Sequence, residues 1–499
     1  MIPSSFAIRQ RARGRLHALR RLPKWWLLVP VGLWLAWWAG RAVASEGPGR
    51  ILALSVAGLA LGVPTLKAVL GRRIRAGFIA VEVPVFFLVL STLVFRGRSA
   101  DELAVNPLDP AAQFRVVCVA VAMILAAVAL ISRPLFVPSN GRVTSSPIRL
   151  YFLYVVVVFL GAPQSFSLAL TGYRGIELLA VVMVMVGARH SVGDEAAARI
   201  EAVLYWFTVG LLLSVWIGWI VAPHLAVNYI TNEHAPLAFQ IRGLVPSIAA
   251  NGVGSLGVLL TFWSLGRLRT ASSLSRFQRL LGYAFAGLGV ASLVLAQYRT
   301  GYGAFVIGLL VYLLFGRRWL LATGLLMVAI VAVALNPSVF LERAEPFLLR
   351  GQSTEQASEL SSRVDFWSAA IPVWETSPFI GRGLLTGTRY EVLAPLGYTD
   401  TAGIHSTWVE ALVGTGVIGL ALLFGSFLVA YRRAILTALR GVGLVPVLLL
   451  TVLAVRSVTG NTFETFSHQA IIFLWLAIAM SDERERTHET GMVPAVGAT

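Results

Sequence analysis

Apolar stretches of about 20 residues recur along this chain with only short polar breaks between them, and that length is what an α-helix needs to cross a hydrocarbon core. Strands of a membrane barrel would be about ten residues long and would alternate in polarity, which these do not. Only 13% of the residues are charged and 57% are hydrophobic, whereas a soluble domain carries roughly one quarter charged residues. The pattern therefore predicts an all-α polytopic transmembrane helical bundle of about 12 to 14 spans. The apolar runs lie at Trp25–Trp38, 51–70, 77–95, 112–132, 148–164, 171–188, 203–222, 244–264, 280–297, 302–316, 318–336, 406–429, 443–457 and 466–480.

The net charge of +17 would point to nucleic acid in a soluble protein. Here the cations collect in the loops of one side: Gly71–Arg75, Arg267–Arg279, Arg317 with Arg318, and Arg432, Arg433 and Arg440. The positive-inside rule assigns that side to the cytoplasm. Residues 1–24, with Arg9, Arg11, Arg13, Arg15, Arg20, Arg21 and Lys24, read as a basic cytoplasmic tail attracted to anionic lipid. Residues 25–480 form the membrane domain, and the polar stretch 481–499 reads as a disordered cytoplasmic tail. The partner implied by this charge is the bilayer, with no nucleic acid. Cys118 is the only cysteine, so no intramolecular disulfide forms, and no histidine–cysteine metal cluster, phosphate-cradling glycine loop or dinucleotide motif is present. No metal and no cofactor are expected.

One long polar interval, 337–405, interrupts the spans and falls on the side opposite the basic loops. It is expected to form an extracytoplasmic loop that covers one end of the bundle. Within it, Ser362–Trp374 reads as an amphipathic helix, with Val364, Phe366, Trp367, Ala370, Ile371 and Trp374 apolar. Pro372 is expected to kink or end that helix a turn early.

Four places depart from a plain hydrophobic bundle. Arg242 precedes a predicted span and reads either as an interfacial anchor or as a cavity residue, and Asn251 is expected deeper in the same span, where its amide needs a partner inside the protein. Arg299 sits in a near-loopless turn, Gln297-Tyr298-Arg299-Thr300-Gly301, at the end where statistics disfavour arginine. Its fixed fork of donors matches an oxyanion or a carboxylate. Arg363 opens the amphipathic helix, two residues from Asp365, a spacing that keeps the two from facing each other. His405 enters the span that follows, with Ser406 beside it and Glu410 about one and a half turns on, and an imidazole there exchanges a proton near neutral pH.

The order Arg242 with Asn251, Tyr298-Arg299-Thr300-Gly301, Ser362-Arg363-x-x-x-Trp367, Pro378-Phe379-Ile380-Gly381-Arg382-Gly383 and His405-Ser406-x-x-x-Glu410, followed by Gly414-Thr415-Gly416-x-x-Gly419, resembles the O-antigen ligase and polymerase superfamily of bacterial membrane glycosyltransferases. The resemblance covers roughly residues 240 to 430; the first 200 agree only in being membrane spans. It implies a donor glycan on undecaprenyl diphosphate and an acceptor hydroxyl on a glycan or lipid-linked glycan, in the bacterial cytoplasmic membrane. It also implies that His405 is catalytic and that Arg299 and Arg363 bind the donor diphosphate. Arg242, Asn251, Arg382, Ser406 and Glu410 are accessory candidates. Many members carry asparagine where this chain has Ser406, which removes the amide geometry beside the histidine.

Two guanidiniums on the diphosphate would stabilise the leaving group, and His405 would take the acceptor proton. No second carboxylate is evident for a two-step route, so the anomeric centre would be inverted. Polymerisation of a surface polysaccharide is the favoured reading, with ligation to a lipid or protein acceptor as the alternative. A flippase of lipid-linked glycans and a non-catalytic member of a polysaccharide assembly complex are the readings from other classes.

Overall fold

A computed structural model describes residues 76–94, 109–131, 146–230, 237–270, 274–316, 363–399 and 403–480, with a few positions between 318 and 328. The two apolar runs before residue 76, most of the run at 318–336, residues 337–362 of the polar interval and both tails lie outside the described residues.

The described chain is helical throughout apart from one hairpin. Its helices are α1 (Ala76–Ala80), α2 (Glu82–Ser91), α3 (Pro110–Ile131), α4 (Ser146–Gly161), α5 (Leu168–Val192), α6 (Glu195–Val221), α7 (Ala250–Thr270), α8 (Arg276–Ala296), α9 (Arg299–Phe315), α10 (Arg363–Glu375), α11 (Thr407–Leu439), α12 (Val445–Thr459) and α13 (His468–Ala479). Six of them are long and apolar enough to cross a membrane: α3, α4 with its short 3-10 extension, α5, α6, α8 and α11. The shorter apolar helices, α9, α12 and α13 among them, fill the same bundle. The chain is an integral membrane protein of the all-α class.

Tight connections reverse the chain at alternating ends. Gly193–Asp194 joins α5 to α6 and 440–444 join α11 to α12; these turns share one end with the last turn of α7, the start of α8, and Arg267, Arg269, Arg276, Arg432, Arg433 and Arg440. The opposite end holds the link between α6 and α7, the turn Gln297–Tyr298, the start of α11 and the linker 460–467. There β1 (Val227–Tyr229) pairs antiparallel with β2 (Phe239–Ile241), and Gln297 Nε2 donates to the carbonyls of Leu237 and Phe239 at 3.0 and 2.8 Å, fastening this hairpin to the turn before α9.

Lipid is as apolar as leucine, so these helices associate through close packing and internal hydrogen bonds. Gly257 of α7 and Gly289 of α8 face each other so closely that a Cβ on either would stand 2.5 Å from the other's carbonyl oxygen. Tyr151 and Tyr154 of α4 donate to the carbonyls of Phe463 and Glu464 at 2.7 and 2.8 Å, and Ser426 of α11 donates to Pro147 O at 2.8 Å.

Two expectations are corrected. The span placed at 244–264 begins as helix only at Ala250, because residues 243–248 close a turn in which Gly243 and Ile248 bridge. The amphipathic helix runs through Pro372 to Glu375. Proline removes one N–H close to the C-terminal end, where Thr376 and Ser377 N–H groups re-tie the last carbonyls of Val373 and Trp374. Its packed face is also narrower than the sequence suggests. Phe366 and Ala370 bury against Val392, Leu393, Ile404 and Val413, while Val364 and Ile371 are exposed.

Helix α11 is kinked at Gly416, whose φ of 62° is left-handed. The segment Pro378–Gly383 lies against this break and takes up its unpaired groups: Arg382 N–H donates to Val413 O at 2.8 Å, Gly383 N–H to Gly414 O at 3.1 Å, and Val417 N–H to Pro378 O at 2.8 Å. Gly381 sits at φ 75°, and a Cβ there would strike the Gly414–Thr415 peptide. The two glycine motifs noted in the sequence are thus the two halves of one backbone junction, and that junction sets where the start of α11 stands.

A cationic candidate site around His405

Arg299 is the first residue of α9, placed there by a turn in which Gln297 is left-handed and Tyr298 extended. Tyr298 is buried, and its ring occupies the space beside Gly254 and Gly301. The small residue at 301 therefore serves ring packing rather than ligand approach. Arg363 is the first residue of α10, on the same flank as Trp367 and Ala370, one and two turns further on. Trp367 Nε1 donates to Ile404 O at 3.2 Å, so the arginine-bearing helix touches the residue next to His405.

These side chains share one electrostatic neighbourhood. Arg363 acts on Arg299, and both Arg363 and Arg456 act on His405. Burial holds the Arg363 guanidinium below the usual arginine value. His405 keeps an accessible face, yet enough protein surrounds the ring that lost hydration, followed by the charges of Arg363 and Arg456, brings its pKa down to about 4. The imidazole is therefore neutral at pH 7 and able to accept a proton.

Side-chain stitches hold the helix ends in register. Thr300 and Thr459 share a hydrogen bond of 2.7 Å, joining the first turn of α9 to the last of α12. Thr407 bonds Thr462 at 2.7 Å and Gly460 O at 3.1 Å, joining α11 to the linker after α12. Thr462 N–H donates to Glu464 Oε2 at 2.9 Å, and Glu464, fully buried, is pushed above the usual carboxylate range by burial.

Arg456 was not among the residues singled out from sequence. It lies near the end of an apolar run, where arginine reads as an ordinary span terminus. The signal that marked Arg299 also marks it, since α12 runs toward the end from which positive residues are normally excluded. Its Nε and Nη1 are buried without a hydrogen-bond partner among the described residues.

The accessory candidates divide. Arg382 is drawn off by Glu391, its Nε donating to Oε2 at 2.9 Å, and serves the junction with α11. Arg242 donates from Nε to Leu225 O at 3.0 Å and braces the hairpin. Asn251 is exposed in the first turn of α7; it does not lie deep in a span, because the helix starts later than the apolar run. Ser406 is buried at the N-cap position of α11, and its carbonyl accepts Glu410 N–H at 2.9 Å. Glu410 is fully buried and takes a 2.6 Å hydrogen bond from Thr388 Oγ1.

The fold and the site describe a polytopic membrane protein with clustered cations and a neutral imidazole at one end of the bundle. Residues 284–424 match the family model described as O-antigen ligase (Wzy_C), which supports the resemblance to the O-antigen ligase and polymerase superfamily. The matched stretch contains Arg299, Arg363, the Pro378–Gly383 segment and His405. At the level of the family it supports ligase-type glycosyl transfer in a membrane. No curated protein matches the chain.

Proposed function

We propose that this protein transfers a glycan from a polyprenyl-diphosphate carrier to a sugar hydroxyl at the outer face of the bacterial cytoplasmic membrane. The observation that carries this reading is the gathering of Arg363 and Arg456 at a neutral His405, with Arg299 beside Arg363. Cations brought together in a partly desolvated place repel one another, and an anionic ligand with several oxygens relieves that repulsion. A diphosphate linked to a sugar has the right charge and can lie at headgroup depth, with its lipid tail among the spans. The arginine-rich turns at the other end of the bundle favour assigning that end to the cytoplasm and the site to the outside.

In the proposed reaction the acceptor oxygen attacks the anomeric carbon, the bond from that carbon to the diphosphate oxygen breaks, and the acceptor proton passes to His405. Arg299 and Arg363 stabilise the charge that grows on the departing diphosphate. That leaving group is a stable anion and needs no proton. A single displacement inverts the anomeric centre. Location at one end of the bundle, rather than at its midplane, supports transfer over transport. Polymerisation of lipid-linked repeat units remains the favoured form, with ligation to another acceptor as the alternative.

The test is transfer by purified full-length protein supplied with a polyprenyl-diphosphate-linked glycan and an acceptor glycan. Product whose new linkage is inverted relative to the donor supports the reading, and full activity in the Arg299→Ala, Arg363→Ala double variant overturns it. Polymerase and ligase are separated by deleting the gene and examining the lipid carrier: accumulated single repeat units mark a polymerase, accumulated full-length chains a ligase.

A further inference from the structure

His405 has a φ of 55°, in the left-handed region that residues other than glycine adopt uncommonly, histidine with asparagine and aspartate more often than most. A residue held there without glycine's freedom needs surrounding structure to keep it. The residue before it supplies the handle. Ile404 is fully buried in the small core under α10, and its carbonyl accepts the indole N–H of Trp367 at 3.2 Å. Gly403, one residue earlier, passes so close to Glu410 and Asn461 that a Cβ there would stand 3.2 Å from Glu410 Oε2 and 2.7 Å from Asn461 Nδ2.

The same carboxylate reaches a second left-handed turn. Leu385 stands at φ 67°, and Thr388 Oγ1 lies 2.6 Å from Glu410 Oε1 and 3.1 Å from Leu385 O, so that its one hydroxyl hydrogen serves both oxygens. One buried carboxylate thus joins the loop that carries His405 to the segment that braces the kink of α11.

We infer that Glu410 and Trp367 are positioning residues: Glu410 packs against the main chain at Gly403, Trp367 holds the Ile404 carbonyl, and together they fix the direction of the His405 imidazole. The inference rests on the reading of His405 as the base. Glu410 does not take the proton from the ring; it acts through the backbone between them.

The experiment uses full-length protein carrying Glu410→Gln or Trp367→Phe. Glutamine places an N–H₂ where an acceptor is needed, and phenylalanine keeps the ring while removing the donor. Reaction of His405 with diethyl pyrocarbonate, followed by mass spectrometry, reports the exposure and orientation of the ring without any turnover, with exposed His224 as the internal reference. The expected result is a change of about threefold or more in the His405 rate in both variants, with His224 unaltered. Transfer kinetics should show kcat lowered about tenfold or more, with donor KM kept within about twofold, as expected when an aligned group is loosened and binding is spared. Wild-type reactivity of His405 in both variants overturns the inference. Where Glu410→Gln does not fold, Glu410→Asp, which keeps the charge and shortens the reach, is read by the same labelling. Absence of transfer by the wild type defeats the proposed function, and the labelling still decides the grip on Gly403 and Ile404.

Discussion

Two groups of arginines stand near the same end of this bundle, one closed directly on a carboxylate and the other gathered at an imidazole. Arg115 of α3 and Arg174 of α5 close on Glu177, at 2.5 and 2.7 Å, with the carboxylate fully buried and Arg115 also lying over the Phe466 ring. Around His405, by contrast, Arg363 acts on Arg299, Arg363 and Arg456 act on the imidazole, and Arg456 also acts on the buried Glu464 carboxyl. A half-buried cation pair with a fully buried carboxylate between the guanidiniums is a finished structural element. A cation group beside a neutral base presents positive potential to whatever enters, which is how a site for an anion differs from a salt bridge.

The sharpest way to break this contrast is to remove cations from the second group. Arg299→Ala with Arg363→Ala should lower transfer by about 10⁴-fold, since each donor to a developing oxyanion is worth roughly 10²-fold or more. The measurement is product formation with the lipid-linked donor at saturating acceptor. A double variant that melts like the wild type and still transfers at its rate would show that the second group is structural too.

Removing the carboxylate of the first group should act on folding instead. Glu177→Ala leaves Arg115 and Arg174 facing each other with the buried anion gone, a change expected to cost about 3–5 kcal/mol. Thermal unfolding in detergent reads this as a lowered Tm. If Tm were unchanged while donor KM rose, Glu177 would belong to a ligand site and the distinction between the groups would fail.

His405→Ala should then lower kcat on the order of 10²-fold, the usual worth of a positioned general base. In the wild type, kcat/KM should be level across neutral and mildly acidic pH and fall only near pH 4, where the imidazole takes up a proton. The sign follows from the lowered pKa. The unfolded chain binds this proton near pH 6.5 and the folded one only near 4, so the group's contribution to stability is present above 6.5 and declines as pH falls toward 4. Arg456→Leu removes the lesser of the two cations that keep the ring neutral and should move the acid limb upward by a fraction of a pH unit. An unmoved limb in that variant would detach Arg456 from the group.

Much of this was legible before any coordinates. The spans are visible because about 20 apolar residues must cross the bilayer as helix, and the arginine-rich turns orient them. Arg299, Arg363 and His405 stood out because each is polar where the pattern calls for something else. Three things were hidden. Residues 243–248 share a span's Leu244, Val245 and Ile248, and before the fold is known only Gly243, Pro246 and Ser247 signal the turn they form. The roles of Pro378–Gly383 and Gly414–Gly416 depend on each meeting the other, a long-range contact that neither stretch carries alone. Arg456 was masked by a position that ordinary snorkelling arginines share, although the direction of α12 distinguishes it.

The smallest expected effect tests the outer limit of the cationic group. Asn251 and Arg382 accompany the site in the sequence, yet Asn251 is exposed in the first turn of α7 and Arg382 is engaged with Glu391. Asn251→Ala removes no hydrogen bond that holds the helix ends together and should change kcat/KM by less than about twofold, as for surface substitutions generally. A larger loss confined to KM for the acceptor would mean that the ligand reaches across to the hairpin between α6 and α7, which Gln297 fastens to the turn bearing Arg299. That turn would then belong to the binding surface on both of its sides, and the contrast with the Glu177 group would rest on a wider region than the arginines alone.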